Sequence, residues 1–419
     1  MTTPAIRDFK GDMKGFPFRL MVNSNFSSEE KLEYTPSIRV WNLYSYNLHR
    51  ATYNGLKKLE SRQGKRNFII GRGSYTGSHR YAGLWTGDNS SDWTFLQMNV
   101  SQALSLGMVG VVINGQDIGG FEASNVDNGK WCSPELLIRW TAAGAFLPWF
   151  RNHYVRKGRK EFQEPFMYTE WFDTYRNGQL PEPQDLYRAV FPICKHYIEL
   201  RYRLMQLFYD TMFSNIIDGL PICRPLFLNS HSDKSLFNDK EEFLSNEFFV
   251  GKDLLVAPIL WPQIGNDGID TEGKRDVYLP SGCNWYSFTN NTEPLNSCVE
   301  GGTTIRDFDA KIYLGGTHIN YIVPLYVKEG AVIPSVELEQ YVGERNARGE
   351  QCPVTITVFP GQRPGYYYDM FLDDGVSDAS CPVADGEIFC KKDGIVTSGK
   401  CRQTRITHSY SEARDSREI

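Results

Sequence analysis

The sequence predicts an α/β region followed by an all-β region. In roughly the first 250 residues, short runs that are apolar throughout alternate with stretches of helical periodicity, which is typical of a parallel sheet covered on both faces. Polar motifs follow these runs, at the position where a (β/α)8 barrel carries its chemistry. From about Leu254 the pattern changes to short alternating runs between turn residues, which favours a β-sandwich. We therefore predict one domain over residues 1–250 and a second over residues 251–419.

The α/β region begins with a helix and two short strands. Leucines and tyrosines at helical spacing predict a helix over residues 42–62, which Gly64 ends. The apolar run 68–70 predicts a buried strand, and residues 82–85 predict a second short strand.

Three further helices and a strand follow. Ser90 or Ser91 is expected to cap a helix that closes at Gly107, and the apolar run 109–113 predicts the next strand. Ser133-Pro134-Glu135 is a strong helix start, with Pro in the first turn and an acid near the positive end of the dipole. A long helix is predicted over residues 185–217, and Gly219 is expected to end it. The strands predicted for the all-β region are 254–260, 276–280, 321–327, 331–334 and 354–359.

Composition excludes several classes of function. The net charge is −5 without a long run of one sign, so neither nucleic acid nor an anionic membrane is an expected partner. The sequence contains no run of 18 apolar residues, so no membrane span is predicted. Nine cysteines without a C-x-x-C pair, and no histidine at zinc spacing, argue against a zinc site, and we expect no metal or cofactor. A glycan at the Asn89 sequon would crowd Asp88, which favours an intracellular protein but leaves compartment and oligomeric state open.

The motif Trp85-Thr86-Gly87-Asp88-Asn89 displays a carboxylate in a loop next to an indole. Partial burial beside Trp85 would favour the protonated form of Asp88, as a general acid for glycosidic oxygen requires. The alternative is an Asx-turn ahead of the helix. Asp92, in the same segment, lies in the first turn of the predicted helix, and its expected role is only a favourable interaction with the helix dipole.

Charged and aromatic side chains follow the other predicted strands. Arg72 would project into the barrel mouth and hold a carboxylate or sugar hydroxyls, unless it forms a surface ion pair. Asp117 could accept hydrogen bonds from hydroxyls, orient an arginine or cap a turn, while Phe121 would wall the pocket. Arg151 and His153 end a predicted helix, where the dipole alone favours positive charge.

Six stretches occur in the same order as in glycoside hydrolase family 31, the α-glucosidase family, and resemble it closely. They are residues 72–77, 80–93, 114–121, 139–140, 144–153 and 224–227. About four strand–helix units are visible in the α/β region, and four parallel strands cannot close a barrel. The resemblance implies that they are units five to eight, the second half of a (β/α)8 (TIM) barrel. In the family, β-domains pack against this barrel and support it. It further implies that Asp88 is the general acid, and that Arg72, Asp117, Phe121, Arg151 and His153 form the sugar site with Met1 and Trp85.

Within the family, the opening Met1-Thr2-Thr3-Pro4 resembles the α-1,4-glucan lyases, whereas hydrolases carry Met-Asn-Glu-Pro there. The nucleophilic aspartate of the family directly precedes this methionine. The resemblance therefore implies that the chain is the C-terminal part of a longer enzyme and is inactive alone.

The function implied is release of 1,5-anhydro-D-fructose from the non-reducing end of starch, glycogen or maltooligosaccharides, by elimination from a covalent glucosyl-enzyme. A retaining α-glucosidase is the alternative within the family, and its product would distinguish it. A non-catalytic carbohydrate-binding protein is the alternative outside it, and would bind glucan without turnover.

Overall fold

The structure is a computed structural model, and the chain forms two compact units. The first contains residues 1–85 and 376–378, and the second contains residues 86–375 and 379–419. The residues that the structure describes are 21–23, 34–36, 41–122, 132–155, 163–174, 184–238, 243–263, 273–289, 298–312, 322–341, 344, 354–362, 366–372, 376, 383–384, 387–388, 395–398, 401–408 and 417–418.

Among its described residues, the first unit has one long helix and two pairs of short strands. Its elements are β1 (Met21–Asn23), β2 (Tyr34–Pro36), α1 (Trp41–Lys58), β3 (Ile70–Gly71) and β4 (Gly83–Trp85). β1 and β2 pair antiparallel, and β3 and β4 pair in parallel. The predicted helix and the strand at 82–85 are confirmed, but the α-helix ends at Lys58 rather than at residue 62, and a separate 3-10 helix covers Glu60–Arg62. The strand predicted at 68–70 begins only at Ile70, since Phe68 is 66% exposed and does not belong to a core.

The second unit begins with most of the helices. They are α2 (Trp93–Met108), α3 (Pro134–Gly144), α4 (Pro165–Thr174), α5 (Gln184–Arg203), α6 (Met205–Asp218), α7 (Leu226–Asn229) and α8 (Phe243–Asn246). The predicted start of α3 at Ser133-Pro134 is confirmed. The predicted cap of α2 is wrong, because Asp92 rather than Ser90 or Ser91 is the N-cap and accepts a hydrogen bond from the Phe95 amide at 3.1 Å.

The strand predicted at 109–113 is also displaced along the chain. Gly110 adopts φ +89° and the Val111 amide donates to the Leu106 carbonyl at 2.9 Å, so these residues close helix α2 instead of extending. Strand β5 consists of Asn114–Gly115. The apolar run therefore ends one element and leads into the next.

The long helix predicted over 185–217 consists of two helices, α5 and α6, which meet at Leu204. Leu204 is itself buried, so apolar periodicity continues across the break and gives no sequence signal for it. Gly219 ends α6 in the left-handed conformation, as predicted.

Arg201 of α5 fixes the backbone of residues 145–148, which follow helix α3. Its guanidinium is buried and donates to the carbonyls of Ala145, Leu147 and Pro148 at 3.0, 2.6 and 3.1 Å. A buried guanidinium needs several acceptors, and these three carbonyls supply them. The turn after α3 is thereby fixed immediately before Trp149.

The remaining strands that the structure describes in the second unit form antiparallel sheets. Their strands are β6 (Cys223–Pro225), β7 (Phe248–Val250), β8 (Leu254–Val256), β9 (Lys274–Leu279), β10 (Asn284–Thr289), β11 (Cys298–Glu300), β12 (Thr303–Asp309), β13 (Leu325–Lys328), β14 (Val332–Val336), β15 (Val354–Val358), β16 (Tyr366–Leu372), β17 (Val383–Ala384), β18 (Glu387–Ile388), β19 (Ile395–Ser398), β20 (Cys401–His408) and β21 (Arg417–Glu418). The largest sheet has the order β11-β10-β13-β8-β7-β6. The predicted division at residue 250 stays a prediction.

This sheet separates two hydrophobic cores. Successive side chains of a strand point to opposite faces. Phe248 and Val250 accordingly pack in the core that includes helices α2 to α6, while Phe249 packs in a second core with Trp285 and Tyr326. The β-rich region is thus joined to the helical region through a shared sheet.

Among the helices of the described residues, none is both long enough and apolar enough to cross a membrane.

Candidate functional site

Three segments of the second unit carry the polar motifs, and parallel backbone hydrogen bonds join them. These three site segments are residues 86–91, 114–122 and 149–155. The Thr86 amide donates to the Gly115 carbonyl at 3.0 Å, and the Trp149 amide donates to the Asn114 carbonyl at 3.1 Å. The polar residues that follow these positions are therefore held at one edge.

The loop that carries Asp88 is fixed through its backbone. Gly87, before Asp88, takes φ +93°. The carbonyl of Asn89, after Asp88, accepts from the Phe121 amide at 2.7 Å and the Glu122 amide at 3.1 Å. The Asp88 side chain itself is exposed rather than partly buried as expected. The carboxylate thus reaches solvent from a loop whose position the second site segment sets.

The close approach of these two segments requires glycine at residue 120. Gly120 has φ +79°, and a Cβ there would lie 2.6 Å from the Ser91 amide nitrogen. Any side chain would push the Asp88 loop away from the second site segment.

Asp117 and Arg151 form a bidentate ion pair between the second and third segments. Arg151 donates from Nε and Nη2 to the two carboxylate oxygens of Asp117, at 2.7 and 2.9 Å. Asp117 is fully buried, whereas the Arg151 side chain is 32% exposed and lies over the Trp149 ring at 5.1 Å from its centroid. Burial raises the pKa of Asp117, although Arg151 opposes this shift. Asp117 therefore orients the arginine.

Phe121 and His153 form an aromatic contact next to this pair. Their ring centroids are 5.0 Å apart with an interplanar angle of 32°. The Phe121 carbonyl accepts from the Val155 amide at 2.8 Å, which brings the two rings together. His153 is exposed and Phe121 is half-buried, so the pair forms part of the surface at this edge.

Gln163 supports the site, and the sequence did not indicate it. This fully buried side chain donates from Nε2 to the carbonyls of Ile118 and Gly120 at 2.7 and 3.0 Å. The backbone carbonyl of Gln163 accepts from the Asn152 side chain at 3.1 Å. A lone glutamine gives no sequence signal for such a role, because the two carbonyls that its side chain holds lie more than 40 residues away.

The structure thus brings Asp117, Phe121, Arg151 and His153 together with the loop of Asp88. Arg72 and Trp85 belong to the first unit, where the exposed Arg72 directly follows β3, as predicted, and the half-buried Trp85 ends β4. Met1 lies outside the described residues.

Within the described part of the chain, no group of three or more His, Cys, Asp or Glu side chains is arranged to hold a metal ion.

Two domain models match the chain in sequence order. One, described as the TIM-barrel domain of glycosyl hydrolases family 31, matches residues 6–211. The other, described as the C-terminal domain of glycosyl hydrolase family 31, matches residues 219–333. The predicted fold class, a TIM-barrel region followed by a β-rich C-terminal region, is confirmed.

Curated relatives include α-glucosidases. Alpha-glucosidase 2 of Bacillus thermoamyloliquefaciens is 34% identical over 335 residues, which make up 80% of this chain and 35% of that protein. Human neutral alpha-glucosidase AB is 28% identical over 342 residues, 80% of this chain and 30% of that protein. The chain therefore spans about a third of the length of these relatives.

Solved structures of two different activities resemble the chain equally well. The alpha-1,4-glucan lyase of Gracilariopsis lemaneiformis has a TM-score of 0.61 and 26% identity, over 82% of this chain and 31% of the lyase. A GH31 dextranase of Flavobacterium johnsoniae has a TM-score of 0.60 and 26% identity, over 82% of this chain and 36% of the dextranase.

Proposed function

Because the chain belongs to glycoside hydrolase family 31, whose two domain models together match more than half of it, we propose that it serves in retaining cleavage of α-linked glucosyl units. In this proposal Asp88 is the general acid. The observation that carries it is the loop geometry: an exposed carboxylate whose neighbour Asn89 is hydrogen bonded to Phe121, beside His153 and Arg151.

The proposed first step is transfer of the glucosyl unit to an enzyme carboxylate. That nucleophile attacks the anomeric carbon while Asp88 protonates the departing oxygen, and retention requires the two carboxyl groups to lie about 5–5.5 Å apart. In this proposal the partly exposed Arg151 side chain donates to sugar hydroxyls, with its orientation fixed by Asp117. Phe121 and His153 wall and bind the sugar. The same proposal gives Arg72, Trp85 and Met1 contacts with it.

For the second step we propose elimination, which makes the enzyme an α-1,4-glucan lyase. The leaving carboxylate removes the proton from C2 as the C1–O bond breaks, and the resulting enol becomes 1,5-anhydro-D-fructose. Met1-Thr2-Thr3-Pro4 in place of Met-Asn-Glu-Pro and the likeness to a lyase structure support this step.

Hydrolysis by water is the second candidate, and the curated relatives support it because they include α-glucosidases. The two candidates share the first step and differ in the fate of the glucosyl-enzyme. Maltotetraose deuterated at C2 separates them. Elimination releases 1,5-anhydrofructose that has lost the label, together with one labelled glucose from the reducing end. Glucose alone, with the label retained in every unit, would identify an α-glucosidase.

Asp88→Asn tests the general acid. We expect turnover of maltooligosaccharides by the enzyme to fall by on the order of 10²–10⁴, because an amide cannot protonate the leaving oxygen. Glucosyl fluoride, which needs little protonation, should lose much less activity.

Asp92→Asn is the matched control. It makes the same chemical change four residues later, and asparagine is also a good N-cap, so turnover should stay close to that of the unchanged enzyme. Equal losses on maltooligosaccharide and glucosyl fluoride in Asp88→Asn would remove Asp88 from this role.

A further inference from the structure

A groove of about 780 Å³ lies in the second unit between helix α2 and the residues around Asn246 and Trp261. Gln97, Met98, Ser101 and Gln102 contribute the wall on the side of the helix. This volume lies within the range of about 300–1,000 Å³ that is usual for small-molecule sites. It can therefore accept several rings of an oligosaccharide rather than only solvent.

The wall formed by α2 has no charge. Its 16 residues contain no Asp, Glu, Lys or Arg, although Gln97, Met98 and Ser101 are exposed. Helix faces that meet water usually carry charged residues. Of the described residues that line the groove, all are Thr, Ser, Gln, Asn, Met, Leu or Trp. Hydroxyls and amides both donate and accept hydrogen bonds, and they suit a neutral ligand rich in hydroxyls.

Trp261 gives the opposite wall a flat face. The half-buried indole packs beside Arg275, whose guanidinium carbon lies 5.7 Å from the ring centroid. Arg275 also donates to the Asn246 side-chain oxygen at 2.8 Å and to Glu247 at 2.8 Å. One buried arginine thus holds both the aromatic ring and the amide of this wall. An indole held in this way can stack on the C–H face of a sugar ring.

The groove is connected to the site segments. Thr86, two residues before Asp88, belongs to its lining. The fully buried Gln116 donates from Nε2 to the Gln102 side-chain oxygen at 3.0 Å. Gln116 lies next to Asp117, so an amide pair links the groove wall to the segment that holds Arg151.

We propose that this groove binds a further stretch of α-glucan chain, separate from the glucosyl unit that Asp88 acts on. The uncharged lining selects a neutral polyol, and Trp261 supplies the stacking surface. The ligand class rests on the proposed function, because family membership alone does not distinguish glucan from another neutral saccharide. The groove keeps a polymeric substrate close to the site between turnovers.

Met98→Lys and Met108→Lys form a matched pair that tests the groove. Both methionines are exposed, 41% and 46%, and both belong to α2, but only Met98 lines the groove. A lysine at 98 places a charge that a neutral glucan cannot pair. We expect about tenfold weaker retention of the protein in glycogen-containing gels, a loss of about 1.4 kcal/mol. The KM for glycogen should rise by a similar factor, and much more than the KM for maltose.

Met108→Lys should match the unchanged protein in both measurements. Trp261→Ala should weaken retention at least as much as Met98→Lys. Because Trp261 also packs against both cores, Met98→Lys is the deciding variant. Asp88→Asn should lose turnover while keeping its retention in glycogen, which separates a failure of the groove from a failure of the proposed function.

Equal retention of Met98→Lys and Met108→Lys would overturn the groove proposal. So would a change in oligomeric state or thermal stability in Met98→Lys without a change in retention, because the groove would then be covered by protein.

Discussion

Two arginine–carboxylate pairs of the second unit use the same chemistry in different surroundings. Asp117 and Arg151 join two site segments, and about a third of the arginine side chain stays exposed. Glu247 and Arg275 lie in the interior beside strand β9, where neither side chain is more than 2% exposed. In both pairs the carboxylate is fully buried. The difference lies in whether the cation can reach a ligand.

The comparison shows how one type of contact can serve binding or architecture. Burial raises the pKa of both carboxyls, and that of Glu247 to about 7, although its arginine opposes the shift. Arg275 directs its remaining donors to the carbonyls of Pro258 and Asp276 and to Asn246, so it binds other protein groups and is too deeply buried to contact a ligand itself. Arg151 keeps an exposed surface beside the polar loop. An arginine therefore becomes a candidate for ligand binding when a buried acid fixes it but does not enclose it.

Breaking the interior pair should have the largest effect. Arg275→Met leaves Glu247 buried without its cation, and we expect the free energy of unfolding to fall by about 3–5 kcal/mol. The Trp261 wall of the groove should loosen as well, since Arg275 holds it. Urea unfolding measures the loss.

Arg306→Met is the control for that loss. Arg306 pairs with Asp276 on the surface, where its side chain is 70% exposed, and its removal should change stability by about 0–1 kcal/mol. Similar losses in the two variants would mean that burial does not distinguish the pairs.

Arg151→Lys should have a smaller effect, and on substrate rather than on stability. Lysine keeps the charge next to Asp117 but cannot reproduce the bidentate contact that orients the guanidinium. We expect kcat/KM for maltooligosaccharides to fall about 10- to 100-fold, or about 1.4–2.7 kcal/mol. Steady-state kinetics and thermal unfolding measured together separate the two effects. Arg188→Lys, on the exposed face of α5, provides the control.

An unchanged kcat/KM in Arg151→Lys, with a stability loss as large as that of Arg275→Met, would place both pairs in the same structural role.

A third buried carboxyl, that of Asp210, shows how burial changes a pKa when the described contacts include no arginine. It accepts hydrogen bonds from the Tyr368 hydroxyl at 2.6 Å, the Phe371 amide at 2.7 Å and the Gln206 side chain at 2.8 Å. Burial nevertheless raises the pKa of Asp210 to about 7. The folded protein therefore binds this proton more tightly than the unfolded chain, and its contribution to stability is lost as the pH rises through about 7.

Asp210→Asn removes this titration, so its effect on stability should depend on pH and be smallest near pH 7 and above. The stability of the unchanged protein minus that of the variant should increase as the pH falls from about 7 towards about 4, by at most about 1.4 kcal/mol per pH unit. Thermal unfolding between pH 5 and 8 measures this difference, with Asp173→Asn at an exposed carboxyl as the control. A difference that grows with rising pH would contradict the assignment.

Local sequence signals predicted much of the fold. The Ser133-Pro134 helix start, the end of α6 at Gly219 and strands close to the predicted 276–280, 331–334 and 354–359 were correct, because each depends on neighbouring residues. The strands predicted at 254–260 and 321–327 are shorter than expected, since β8 ends at Val256 and β13 begins at Leu325. The errors occurred where a distant or subtle contact decides the structure. Asp92, rather than Ser90 or Ser91, is the N-cap of α2, and the apolar run after α2 forms a turn instead of a strand.

The candidate site was predictable in its residue types but not in its arrangement. The motifs indicated Asp117 and Arg151, yet nothing in the sequence showed that the acid would be enclosed and the arginine exposed. Gln163 and the requirement for Gly120 depend on atoms from other segments. Such supporting contacts become visible only when the chain is folded.

The hydrogen bonds between the three site segments also limit how this edge could be redesigned. Phe121 donates its amide to the first segment and its carbonyl accepts from the third, so a change in the length of one segment would displace the other two. Loops on a barrel scaffold are often treated as independently replaceable parts. Here a graft that alters sugar preference would have to transfer all three segments together, with Gly120 and Gln163, as a single module.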